Sequence, residues 1–184
     1  MAITAAVPVH VDTSPPLAAS TEQGFITELE RANGIVDRIV RTSTAVIQLR
    51  SQLREDISQY HKTAIQNQLR QQFEAALLQG GVPPGMVPKL ALMLAYNMVR
   101  DIRMVVAEHG DSVVVYFLCK TVKTIYDLGQ MIMSGFMHAV FAAVIESMSR
   151  TTVDVNVYVR ADEFNVRLLC LSKPQDKGWS ISVW

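Results

Sequence analysis

The chain has 184 residues, 49% of them hydrophobic and 18% charged, which is enough apolar material to bury a core and too much for a wholly disordered chain. Seventeen basic side chains meet seventeen acidic ones, so the basic surplus that displaces phosphate counterions is missing and no nucleic-acid partner is expected. That length suits one domain with an appendage.

Residues 1–20 lack the basic segment and continuous apolar run of a signal peptide. Their Pro, Ser, Thr and Ala content reads as a flexible leader. Within it, Val7-Pro8-Val9-His10-Val11 alternates and predicts a short strand. Pro8 confines that strand to a sheet edge, because proline has no N–H to give a central ladder. Asp12 to Pro16 reads as linker.

Ser20-Thr21-Glu22-Gln23 matches a capping box,, and opens an amphipathic, coiled-coil-like helical segment over residues 21–80. Phe25, Leu29, Ala32, Val36, Ile39, Ser43 and Val46 step by fours and threes. The seam continues less regularly through Leu49, Leu53, Ile57, Tyr60, Ile65, Leu69, Phe73 and Leu77. So narrow a stripe fits a coiled coil or a helical hairpin. Gly34 and Thr42-Ser43-Thr44 are candidate breaks, so one rod and two helices both fit. Leu29, Val36, Ile39, Val46 and Leu53 are the expected self-association positions. The charges between Glu28 and Asp56 balance in sign, as on a solvated helix face.

Gly80-Gly81 supplies the left-handed residue that helix C-termini favour,, and residues 82–184 are expected to form an α+β sandwich domain. Pro88 fits the first turn of a short helix ending near Val99. Residues 102–106 and the apolar run 113–119 predict two strands, and Glu108-His109-Gly110-Asp111 between them predicts a hairpin turn. Thr121 caps a helix over 122–148, whose packing face steps through Ile125, Leu128, Ile132, Phe136, Val140 and Val144,. Residues 153–159 alternate as a strand with one buried and one wet face. Residues 164–171 suit a strand or a short helix. Lys173 to Gly178 reads as a turn and 179–184 as a last strand, so a short antiparallel meander is favoured there.

No catalytic constellation is visible, and no enzymatic activity, cofactor or metal is expected. His10, His61, His109 and His138 have no partners at metal-ligand spacing, and Cys119 and Cys170 form no Cys-x-x-Cys pair,. The two cysteines read as buried reduced thiols of a cytoplasmic protein, with a disulfide between neighbouring strands as the alternative. His138 reads as a satisfied or pocket-lining histidine, and Asp162-Glu163 as turn chemistry. Residues 128–145 carry no formal charge, near the lower length of a bilayer-spanning helix, yet Gln130, Ser134 and His138 interrupt them and no basic flank follows. A buried core helix is favoured over membrane insertion.

The strand over 113–119 ending in Cys119, the Ser134-Gly135-Phe136-Met137 step and the strand ending in Arg160-Ala161 form a recognisable order. Upstream, Phe73-Glu74-Ala75-Ala76-Leu77-Leu78-Gln79-Gly80-Gly81 ends a helix before a short second one. Over residues 65–170 this pattern resembles the N-terminal domain of the TNF-receptor-associated death-domain adaptor (TRADD) family and related invertebrate immune modules. The resemblance implies a ferredoxin-like α/β sandwich with an antiparallel sheet that docks proteins in innate-immune signalling and catalyses nothing. It also implies a partner like the C-terminal domain of TNF-receptor-associated factors, an apolar docking position at Val113 and a docking arginine at Arg160, beside Ala161. The long segment in front, and the lack of a clear C-terminal helix or any death domain, depart from the family.

The expected function is therefore a non-enzymatic adaptor or scaffold module that self-associates as a homo-oligomer and docks a signalling partner. The alternative is a membrane-associated or shell-forming structural protein, such as a small viral matrix protein, motivated by the uncharged helix and the methionines.

Overall fold

The computed structural model describes residues 3–108 and 113–172. The chain begins with strand β1 (Ala5–Ser14) and then forms three helices, α1 (Ala19–Thr42), α2 (Thr44–Gln52) and α3 (Gln59–Gln79). Helix α4 (Val87–Val99) leads into strands β2 (Ile102–Glu108) and β3 (Val113–Cys119). Helices α5 (Val122–Met133) and α6 (Phe136–Ser149) precede strand β4 (Asp154–Tyr158) and helix α7 (Ala161–Ser172). The fold is mixed α+β. Its single described sheet runs β2-β3-β1-β4, with every neighbouring pair antiparallel.

Residues 5–14 are a strand and not part of a loose leader. Val7, Val9 and Val11 are buried, and β1 is an interior strand, paired with β3 from Ala5↔Cys119 to Val11↔Val113 and with β4 from His10↔Tyr158 to Ser14↔Asp154. The edge position expected from Pro8 is corrected by the same register. Pro8 lies beside Tyr116 of β3 but short of the stretch that β4 covers, so β1 has a neighbour on one side only where its N–H is missing.

The segment expected as one rod or two helices is three helices. Ser43 leaves the helical conformation and caps α2, its hydroxyl accepting from the Val46 N–H at 3.4 Å, while Gly34 stays inside α1. A second break before Ser58, which caps α3 by accepting from the His61 N–H, is masked in the sequence because Leu53 and Ile57 keep a four-residue step. The Ser20 capping box does not form, since α1 is preceded by Ala18 and has no side-chain cap. Gly81, at φ +81°, provides the left-handed turn after α3.

The apolar face of the sheet, with Val7, Val9, Val115 and Phe117 all buried, packs under α1, α4 and α6. There Phe25 of α1 meets Phe141 of α6 edge-on at 5.8 Å. Thr121 caps α5 in a reciprocal box with Thr124. The single helix expected over 122–148 is broken at Gly135, whose φ of +78° ends α5 and starts α6 at a 60° bend. Residues 164–171 are helical, not part of a meander. Asp162 and Glu163 occupy the first turn of α7, where the helix dipole favours carboxylates,, and Phe164, Leu168 and Leu171 step along its half-buried side. The expected turn at 109–111, the turn at 173–178 and the last strand at 179–184 lie outside the described residues.

No helix among the described residues is long and apolar enough to cross a membrane, and α5 and α6 meet that test only as a bent pair. Leu128, Met131, Met137, Val140, Phe141, Val144 and Ile145 are buried in the chain's own core.

Candidate functional site

At the end of the sheet where β1 leaves, three strands present their termini together. Antiparallel pairing sets Val113, the first residue of β3, opposite Val11, and sets β4 against the same end of β1. Phe25 of α1 and Ile145 of α6 close the space beneath, and a cavity of about 410 Å³ results. Val113 and Arg160, 47 positions apart in sequence, both line it. Val113 is buried at 4% exposure and forms part of its apolar floor, whereas Arg160 is exposed at its rim. Ala161 is exposed at the start of α7 and is not among the lining residues. The structure therefore brings together two of the three expected docking residues.

The polar side of this cavity is ordered by a chain of contacts over the opposite face of the sheet. The Tyr158 hydroxyl donates to the Asp12 carboxylate at 2.8 Å. That bond, with burial and the Asp12 charge adding to it, raises the Tyr158 pKa above its ordinary value of 10, and the neighbouring Arg160 opposes the shift. The Tyr158 ring stacks on the His10 imidazole at 5.2 Å and 14°. His10 Nε2 lies 2.8 Å from Glu163 Oε2, so the imidazole donates to the carboxylate and ties α7 to β1. His10 is buried, and its Nδ1 has no partner within the chain.

Sequence reasoning missed this cluster by treating His10 as solitary and Glu163 as turn chemistry. The available signal was parity. His10 and Asp12 alternate with Val7, Val9 and Val11, so a polar pair had to lie on the opposite face, and Tyr158 has the matching parity in β4,.

The expected self-association seam is used inside the chain. Leu29, Val36 and Val46 are buried, and Ile39 and Leu53 pack half-buried against the same core. Those side chains present no free stripe to a second copy, which corrects the expectation of a coiled-coil surface. His138, expected to be satisfied or to line a pocket, is exposed on α6. Cys119 and Cys170 are free thiols. Burial pushes the Cys119 thiol up to about 12, with a hydrogen bond to Thr124 opposing and the Asp127 charge adding, so this thiol stays protonated. Among the described residues, no three His, Cys, Asp or Glu side chains are placed to hold a metal.

In comparisons with known proteins, no family model, no curated protein and no solved structure matches this chain.

Proposed function

We propose that the chain is a non-enzymatic docking module of the ferredoxin-like kind, related to the N-terminal domain of the TNF-receptor-associated death-domain adaptor, and that it captures a signalling protein at the Val113–Arg160 cavity. The strand order β2-β3-β1-β4, antiparallel throughout and with helices in both crossovers, supports the ferredoxin-like reading. The observation that carries the docking reading is the convergence of Val113 and Arg160 on one cavity. Val113 on its apolar floor and the Arg160 guanidinium, which shares the lining with the Asp12 and Glu22 carboxylates, suit an extended segment bearing an apolar side chain followed by a polar, hydrogen-bonding one. A cytoplasmic domain like the C-terminal domain of TNF-receptor-associated factors offers such a partner. This reading takes a single chain as the docking unit, with Leu29, Val36 and Val46 buried in its own core.

Calorimetric titration of that factor domain against the full chain tests the reading. Arg160 is exposed, so Arg160→Glu leaves the fold intact and is expected to weaken capture about tenfold, chiefly by slowing association, as reversal of a rim charge does. Capture unchanged by the reversal, or absent in the unaltered chain, would refute it.

A further inference from the structure

A second cleft opens at the opposite end of the sheet, about 20 Å from the docking cavity by the rise along β3. It encloses about 330 Å³ between α1, the C-terminal half of α4 and the start of β2. That volume lies in the range of small-molecule sites. Its walls are apolar, with Val36 and Val40 from α1, Leu94 and Met98 from α4, Ile102 from β2 and Leu118 from β3.

Two features distinguish this cleft from a packing gap. The first is Asn97, which lines it from α4 at 2% exposure, with neither Oδ1 nor Nδ2 hydrogen-bonded within the chain. A buried carboxamide with no partner is costly, and native structures rarely leave one so without a role. The second is charge. Asp37 is held by Arg103, and Asp101 by Lys120 at 2.9 Å. Arg50 in α2 and Arg54 just beyond it also line the cleft, are exposed, and make no ion pair among the described residues. Glu55 and Asp56 follow in the chain but do not line it. Two positive charges therefore stand uncompensated at the rim of a protein whose formal charge is zero.

We propose that this cleft binds a small organic anion whose apolar body fills the walls, whose inner end exchanges hydrogen bonds with the Asn97 carboxamide, and whose carboxylate, sulfonate or phosphate meets Arg50 and Arg54. The carboxamide both donates and accepts, so it selects an inner amide, hydroxyl or amine over a plain hydrocarbon tail. The guanidiniums form charge-assisted bonds to the anionic end. This site shares no lining residue with the docking cavity and does not depend on the docking reading.

The probe is 8-anilinonaphthalene-1-sulfonate, which combines an apolar body, one N–H and one sulfonate. Fluorescence titration of the full chain is expected to saturate at one molecule per chain, with a Kd on the order of tens of micromolar for a ligand of that size. In amide-correlated NMR spectra, the Asn97 side-chain NH₂ resonances, identified by their loss in Asn97→Leu, are expected to shift along the same curve. Arg50→Glu with Arg54→Glu, both exposed, is expected to weaken binding tenfold or more while leaving the denaturation midpoint in place. Added salt is expected to weaken binding to the unaltered chain as well. Four results would overturn the proposal: no saturable binding, several molecules per chain, Asn97 resonances that do not move, or affinity indifferent to the charge reversal.

Discussion

Leu29→Ala separates a core helix from an oligomerising one. Leu29 is 1% exposed and sits on α1 beneath the sheet, between Phe25 and Ala32, which are fully buried. Truncation removes its apolar contacts and leaves a cavity, at a cost of about 3 kcal/mol within the usual spread for buried leucines. A domain of this kind is stable by about 5–15 kcal/mol. With a urea slope of about 2 kcal/mol per molar, the unfolding midpoint should fall by about 1.5 M. The assay is urea unfolding followed by circular dichroism at two protein concentrations a hundredfold apart. Within one chain, neither the unaltered protein nor the variant should respond to concentration. A seam buried between copies would raise the unaltered midpoint by about 1.4 M, because a hundredfold excess of partner adds about 2.7 kcal/mol. Glu30→Ala, on the exposed side of α1, is the control and should stay within about 0.5 kcal/mol. A concentration-dependent midpoint, or a Leu29→Ala variant as stable as its parent, would refute the placement of this helix.

Two further outcomes follow from the cluster beneath α7. Tyr158 has a raised folded-state pKa because it donates to Asp12, so its stabilising contribution is fully present below about pH 10, the ordinary phenol value, and is lost as pH rises through the folded value. Asp12→Asn should lower the Tyr158 titration midpoint, read from phenolate absorbance against a Tyr158→Phe blank; a midpoint unmoved by the substitution would contradict the assigned cause. Glu163→Ala strips the buried His10 of its hydrogen bond to that carboxylate and should cost about 1–3 kcal/mol. Since α7 buries no residue completely, its amides should also lose hydrogen-exchange protection ahead of those of β1, and equal protection in variant and parent would count against that tie.

The elements that were legible in the sequence are those whose determinants are local. The Val113–Cys119 run, the Thr121 cap, the left-handed turn at Gly80-Gly81 and the Pro88 start of α4 all read correctly, because each rests on neighbours a few residues apart. The failures share a cause. Pro8 argued for an edge by a rule about both neighbours of a strand, yet where β4 ends along β1 is a long-range fact. The 60° bend at Gly135 was hidden because the apolar steps on either side of it fit one helix. Residues 164–171 carry enough apolar character for either state, and the sheet face available to α7 decided between them.

Site residues divide in the same way. Val113 and Arg160 were singled out through the resemblance, and both line one cavity. Their surroundings differ, however: Val113 is buried in the floor, whereas Arg160 is exposed beside Tyr158. Asn97 could not be recognised at all. On α4 it looks like one polar residue in a run of Leu, Met and Ala, and nothing local distinguishes a solvated asparagine from a buried one. It becomes informative only when α1, α2 and β2 close around it and supply no partner. The arginines behave similarly, because Arg50 and Arg54 belong to a stretch whose charges balance in sequence but not in space. Asp37 and Asp101 are already bound to Arg103 and Lys120, so the surplus at the cleft arises from which acids the fold has engaged, and composition alone does not encode that.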